Sequence, residues 1–130
     1  MNYLVTGGTG FIGTALIASL GSAGHTLTVF TRRPRSPQGC ATFVTSLDAI
    51  PAQACFDGVV NLAGASLAGA RWSASYKREI ISSRLDTTEA LITWLGRLQQ
   101  PPAVLLSASA IGYYGHHGDE PLGEDGPVVP

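Results

Sequence analysis

The run Thr6-Gly7-Gly8-Thr9-Gly10-Phe11-Ile12-Gly13 constrains this chain more than any other feature, because it stands between an apolar strand and an apolar helix. Asn2 to Thr6 reads as a short buried strand. Phe11 to Ala23 reads as a helix with Ile12, Ala15, Leu16, Leu20 and Ala23 on one face. In a G-x-x-G-x-x-G spacing the first glycine permits a tight turn, the second lets backbone approach a pyrophosphate, and the third lets helix and strand pack closely. The helix N-terminus then directs its free N–H groups at the phosphates. A bare glycine pattern is a weak signal. One that follows a strand and opens an amphipathic helix favours a dinucleotide seated at Gly7, Gly10 and Gly13 over a merely structural turn.

Gly24 with His25 ends this helix, and Thr26 to Phe30 supplies a second strand that stops at Thr31-Arg32-Arg33-Pro34. Pro34 to Gly39 reads as a loop and Thr42 to Thr45 as a third strand, with no helix signal between strands two and three. Asp57 to Leu62 is a fourth strand. Ser73 to Leu98 is a long helix, N-capped by Ser73, with Tyr76, Ile80, Leu85, Thr88, Leu91, Leu95 and Leu98 near its buried side. Pro101-Pro102 breaks it, Ala103 to Ser107 is a fifth strand, and an acidic loop follows Gly115. Apolar strands alternating with helices predict an α/β fold: a Rossmann-type, doubly wound parallel sheet buried on both faces, with strand order 3-2-1-4-5. No internal repeat or linker interrupts residues 1–130, which read as one domain.

Ligands of such sheets lie beyond the carboxyl ends of the strands. After strand two, an NAD site would place a carboxylate for the ribose hydroxyls. Here Thr31, Arg32 and Arg33 stand instead, and an arginine fork suits a 2′-phosphate, Arg32 being nearer the strand. After strand four, Asn61-Leu62-Ala63-Gly64 presents small residues past which a cofactor can run. After strand five, Ser107 to Gly115 brings hydroxyl and phenol groups, among which Ser109 and Tyr114 are candidates to polarise a carbonyl or relay a proton.

Composition narrows the partners. A net charge of −1 removes the basic surplus that a nucleic-acid or anionic-membrane partner would demand, so a small molecule is expected. Cys40 and Cys55, without metal-ligand spacing, read as free thiols of a reducing compartment. The absence of a basic, apolar leader or a membrane-length apolar run predicts a cytoplasmic chain.

These residues together resemble the epimerase-like, atypical extended short-chain dehydrogenase/reductase family. The resemblance spans the chain and is carried by TGGTGFIG at 6 to 13, TRRP at 31 to 34, NLAG at 61 to 64, RW at 71 to 72, SRLDTT at 83 to 88 and SASAIGYYG at 107 to 115. It implies an NADP(H) site that extends the glycine turn through Thr9, Phe11 and Ile12, with Thr31, Arg32, Leu62 and Ala63 beside them. It also implies that Glu79 and Arg84 of the long helix turn toward the cofactor. Arg84 falls where typical members place asparagine; without the resemblance it would read as a surface arginine paired with Asp86 or Glu89.

Two departures stand out. Family dehydrogenases use a Tyr-x-x-x-Lys pair, in which the lysine lowers the tyrosine pKa. Lys77 is the only lysine here, with Ser73 four residues before it. The family is also about twice as long or more, its second half shaping the substrate pocket, so residues 1–130 are expected to be the NADP(H)-binding part alone. The expected function is an NADP(H)-dependent oxidoreductase or epimerase acting on a small carbonyl or nucleotide-sugar-like substrate. The alternative is a non-catalytic NADP(H)-binding sensor or interaction protein. Family relatives suggest a homodimer through the long helices. His116, His117, Asp119 and Glu120 read as a solvated loop, so no metal is expected. Trp72 and Trp94 read as helix-packing residues.

Overall fold

A computed structural model of the chain describes residues 1–129, with Ile111 described by its backbone alone. Its elements run β1 (Asn2–Thr6), α1 (Phe11–Ser22), β2 (Thr26–Phe30), β3 (Ala41–Val44), a 3-10 turn (Leu47–Ala49), β4 (Gly58–Asn61), α2 (Ala74–Leu95), β5 (Val104–Ser107) and a second 3-10 turn (Ile111–Tyr114). The strands form one sheet in the order β3-β2-β1-β4-β5, and every neighbouring pair is parallel. The register sets Thr6 opposite both Phe30 and Asn61, and Asn61 opposite Ser107, so the carboxyl ends of four strands lie level.

The pleat of β1 divides the core in two. Leu4 faces one side, where it packs with Val59, Phe56 and Leu47 under Leu91, Trp94 and Leu98 of α2 and its C-terminal extension. Val5 faces the other, where Leu27, Val29 and Ala41 meet Leu16, Ile17 and Leu20 of α1. Helices therefore cover both faces, as a doubly wound sheet requires. Burying each of these large side chains contributes about 1.5–3 kcal/mol.

The helix faces differ from the sequence pattern at particular residues. On α1, Ile12 is 65% exposed and Ala15 and Ala23 are also exposed, while Gly13 is buried. The close approach of Gly13 to the glycine turn fixes the rotation of the helix and brings Leu16, Ile17 and Leu20 onto the sheet. On α2, Leu85 is exposed and Trp94 takes the central buried place. Trp72 is also exposed, its indole N–H donating to the Leu67 carbonyl across 2.7 Å, so only Trp94 is a core residue. Ser73 caps α2 as expected, its hydroxyl accepting from the Tyr76 N–H at 3.2 Å.

β5 is the other exception. Val104, Leu105 and Leu106 are all exposed on this strand, which lies at the edge of the sheet beside β4. Both cysteines are free. No helix among the described residues is long and apolar enough to cross a membrane.

Candidate functional site

Level strand ends leave a cleft above the carboxyl edge of the sheet, with a volume of about 710 Å³. Its floor is Thr6 and the glycine turn, through Gly7, Thr9 and Gly10. One wall is the segment after β2, contributing Phe30, Thr31, Arg32, Arg33 and Arg35. The opposite wall is the loop after β4, Leu62 to Ala65, backed by Glu79, Ser82, Ser83, Asp86 and Thr87 of α2.

The turn works by close backbone approach. Gly7 has φ +67°, and a Cβ there would run into the Leu62 carbonyl, so a side chain would separate the turn from the β4 loop. A Cβ on Gly13 would strike the Gly7 carbonyl oxygen and come within 2.5 Å of the Gly8 Cα. The first helical turn of α1 is thereby held against the end of β1. Gly10 is its N-cap, no side chain caps it, and no acidic residue lies in its first turn. The positive end of the helix is left to whatever sits in the cleft.

A buried polar network ties the floor to the β4 wall. Thr6, fully buried, donates its hydroxyl to Asn61 Oδ1 at 2.6 Å, and Asn61 Nδ2 donates to Thr88 Oγ1 at 3.1 Å and Ser107 Oγ at 3.3 Å. One amide thus joins β1, β4, β5 and α2. The cleft is electrically lopsided: three arginines stand on the β2 side and Glu79 with Asp86 on the α2 side.

Of the residues singled out in the sequence, Gly7, Thr9, Gly10, Thr31, Arg32, Leu62, Ala63 and Glu79 line this cleft. Phe11 and Ile12 are not part of its lining and have 96% and 65% of their surface exposed, and Gly13 is buried beneath the turn. Arg84 does not line it. Instead of pairing with Asp86 or Glu89, its guanidinium folds back onto the Ala65 and Ile80 carbonyls. Ser109 is exposed and also outside the lining, and the Tyr114 hydroxyl donates to the Glu124 carbonyl at 3.2 Å within its own loop.

Sequence reasoning missed Arg35 and, apart from Glu79, the polar stripe of α2. Glu79, Ser82, Ser83, Asp86 and Thr87 recur at i, i+3, i+4, i+7 and i+8, the spacing of one helical face. Read with the apolar residues removed, that spacing marks a polar face turned inward. Asn61 was also readable, as an amide closing an otherwise apolar strand.

Residues 3–130 match the model of the NAD dependent epimerase/dehydratase family. The chain belongs to that family. Among relatives, it is 38% identical over 116 residues to bovine "Epimerase family protein SDR39U1", covering 88% of this chain and 38% of the relative. It is 36% identical over 130 residues to "Epimerase family protein YfhF" of Bacillus subtilis, covering 96% of this chain and 43% of that one. A crystal structure of human epimerase family protein SDR39U1 (isoform 2) with NADPH superposes with a TM-score of 0.82 at 34% identity, covering 98% of this chain and 43% of that chain. This family member therefore spans about two fifths of the length of these relatives, and the matched part carries the sheet and the cleft.

Proposed function

We propose that the cleft binds NADP(H), and that the chain supplies the cofactor half of an oxidoreductase or epimerase acting on a small carbonyl or nucleotide-sugar-like substrate. The observation that carries this reading is the pairing of an uncapped helix N-terminus behind a close-packed glycine turn with Arg32, Arg33 and Arg35 on the facing wall. The turn suits a pyrophosphate. Arginines without a carboxylate among residues 31 to 35 suit a 2′-phosphate, where an acid would repel it. Supporting the same reading, the human relative was crystallised with NADPH. Thr31 and Arg32 would hold the adenosine end, and Leu62 and Ala63 would allow close passage of the cofactor backbone. Bound there, the nicotinamide would supply hydride chemistry.

Calorimetric titration with NADPH and NADH tests this. NADPH should bind more tightly, and Arg32→Ala should remove most of that preference, a change of about tenfold or more for one charge-assisted contact of roughly 1.5–3 kcal/mol. Failure to bind either cofactor, or equal affinity for both, would sink the reading.

A second reading, a non-catalytic NADP(H) sensor, draws on the engagement of the Tyr114 hydroxyl with the Glu124 carbonyl. Binding without oxidation of NADPH across a panel of carbonyl compounds favours the sensor. Turnover lost in Ser109→Ala or Tyr114→Phe favours the enzyme.

A further inference from the structure

We propose that a second cavity, the groove between α1 and β3 on the face of the sheet away from α2, binds an apolar carboxylate of the medium-chain fatty acid class, with Arg35 at its charged end. The binding stands apart from the nucleotide reading above, and only its coupling to the cleft rests on that reading.

The groove exists because β2 and β3 are parallel neighbours joined without a helix. A crossover between parallel strands usually carries one, which covers the sheet beside the preceding helix. Here residues 31–40 pass as loop, and a hollow of about 620 Å³ lies between α1 and β3. Its floor is Ala41 and Phe43, on the α1 side of the sheet, and its wall is Ile17, Ala18 and Gly21 of α1. That volume suits a small molecule, whose pockets typically measure roughly 300–1,000 Å³. The loop-side rim is held firmly. Gly39, at φ +58°, turns the chain so that Gln38 and Ala41 exchange both backbone hydrogen bonds, at 2.9 and 3.0 Å. The Cys40 thiol lies against α1, where a Cβ on Gly21 would come within 2.5 Å of its sulfur.

The lining selects the chemistry of the ligand. Thr14 donates its hydroxyl to the Gly10 and Phe11 carbonyls, both at 3.0 Å, and Ser22 donates to the Ala18 carbonyl at 2.9 Å. Neither has a donor left for a ligand. Arg35 and Gln38 remain, both exposed, and Arg35 has no carboxylate within ion-pair distance among the described residues. A guanidinium at the rim of an otherwise apolar hollow matches a carboxylate on a hydrocarbon chain: the fork takes both oxygens while the tail covers Phe43 and Ile17. From Thr14 to Ser22 the helix rises about 12 Å, the length of a medium-chain fatty acid. Arg35 also lines the nucleotide cleft. A carboxylate that engages it withdraws positive charge from the β2 wall, so groove ligand and NADPH should weaken each other.

Calorimetric titration of the wild-type chain with decanoate, below its micelle-forming concentration, tests the groove. Alkylation of Cys40 by iodoacetamide in a Cys55→Ser background, where it is the sole thiol, gives a second readout. Decanoate should saturate one site and slow alkylation several-fold. Octanoate should bind more weakly, by on the order of fourfold for each methylene withdrawn from the groove. Arg35→Ala should weaken decanoate about tenfold, the size of one charge-assisted contact. Ala18→Glu, at an exposed position, should abolish decanoate binding by placing like charge in the groove while Tm and NADPH affinity hold. Decanoate should lower NADPH affinity by the same factor by which NADPH lowers decanoate affinity. No saturable binding, or wild-type affinity in both variants, would overturn the proposal. So would a Cys40 thiol shielded without ligand in a chain that sediments as a dimer and exposed again on dilution, which would give the groove to a second copy. If the chain bound neither NADPH nor NADH while decanoate behaved as expected, the nucleotide reading and the coupling would fall and the groove site would stand.

Discussion

Replacing Asn61 by alanine should cost the fold about 2–4 kcal/mol, and the way that cost divides tests the network beneath the cleft. Asn61 is 5% exposed and Thr6 fully buried, so the Thr6 hydroxyl cannot exchange its 2.6 Å bond for water when the amide is removed. A stranded buried hydroxyl costs about 1–3 kcal/mol. Thr88 is half-buried and Ser107 exposed, so their hydroxyls can turn to solvent, and each lost bond there contributes about 0.5 kcal/mol, the low end for a neutral pair. Thr6→Val should cost about 1–2 kcal/mol, since Asn61 Oδ1 is then left with only the long 3.5 Å approach of the Ala63 N–H. Removing both polar partners together, in Thr6→Val/Asn61→Leu, strands nothing fully buried, and stability should return to within about 1 kcal/mol of wild type. Urea unfolding monitored by circular dichroism reads all three, because a change of midpoint at constant slope is a change of stability. Losses that simply add in the double variant would refute the argument, as they would mean that Thr6 and Asn61 are satisfied independently.

Three further outcomes follow from packing. Gly13→Ala should destabilise by about 1–3 kcal/mol, the usual cost of overpacking, and abolish nucleotide binding, because its Cβ meets turn backbone that cannot yield. Gly24→Ala, at φ +79° with open space around it, should cost about 1 kcal/mol and leave binding unchanged; melts and titrations of the two variants that look alike would contradict this account of the turn. Trp94→Phe should change stability by less than about 1.5 kcal/mol, since the buried indole N–H has no hydrogen-bond partner and its removal relieves about 1–3 kcal/mol of desolvation that offsets lost packing. A drop of more than about 3 kcal/mol in denaturant unfolding would show that the indole fills its site too well to be shortened.

How much of this was legible depends on whether a signal is local. The strand order and the start of α2 at Ser73 were readable because apolar runs, glycine turns and an N-cap are written in adjacent residues. The facing of α1 was not, because it is set by a backbone contact between Gly13 and the turn, which outweighs the pull of Ile12 toward the core. Leu85 misled for a related reason: periodicity identifies an apolar stripe without saying whether something lies opposite it, and nothing described here does. As cleft lining, Gly7, Gly10, Arg32 and the β4 loop were legible because each follows a strand end. The inward polar face of α2 was obscured by scoring that helix for its apolar residues. The contacts of Arg84 were not legible because its partners, Ala65 and Ile80, offer backbone groups, which carry no sequence signature.

The groups that hold the shape of the cleft are not the charged groups exposed at its walls. Its shape is held by groups bonded to the chain itself: Asn61 to Thr6, Thr88 and Ser107, and Ser83 to Ala65. Under the proposed reading, discrimination among ligands would fall to the few charged side chains exposed at the walls, Arg32, Arg33 and Arg35 on one side and Glu79 and Asp86 on the other. These sit on loop or helix surface, where a substitution costs little stability. Changing Arg32 should therefore alter which nucleotide is preferred while the melting temperature stays nearly fixed, whereas changing Asn61 should lower the melting temperature and weaken all nucleotides alike. Shape and preference are separable here because the fold places them on different atoms.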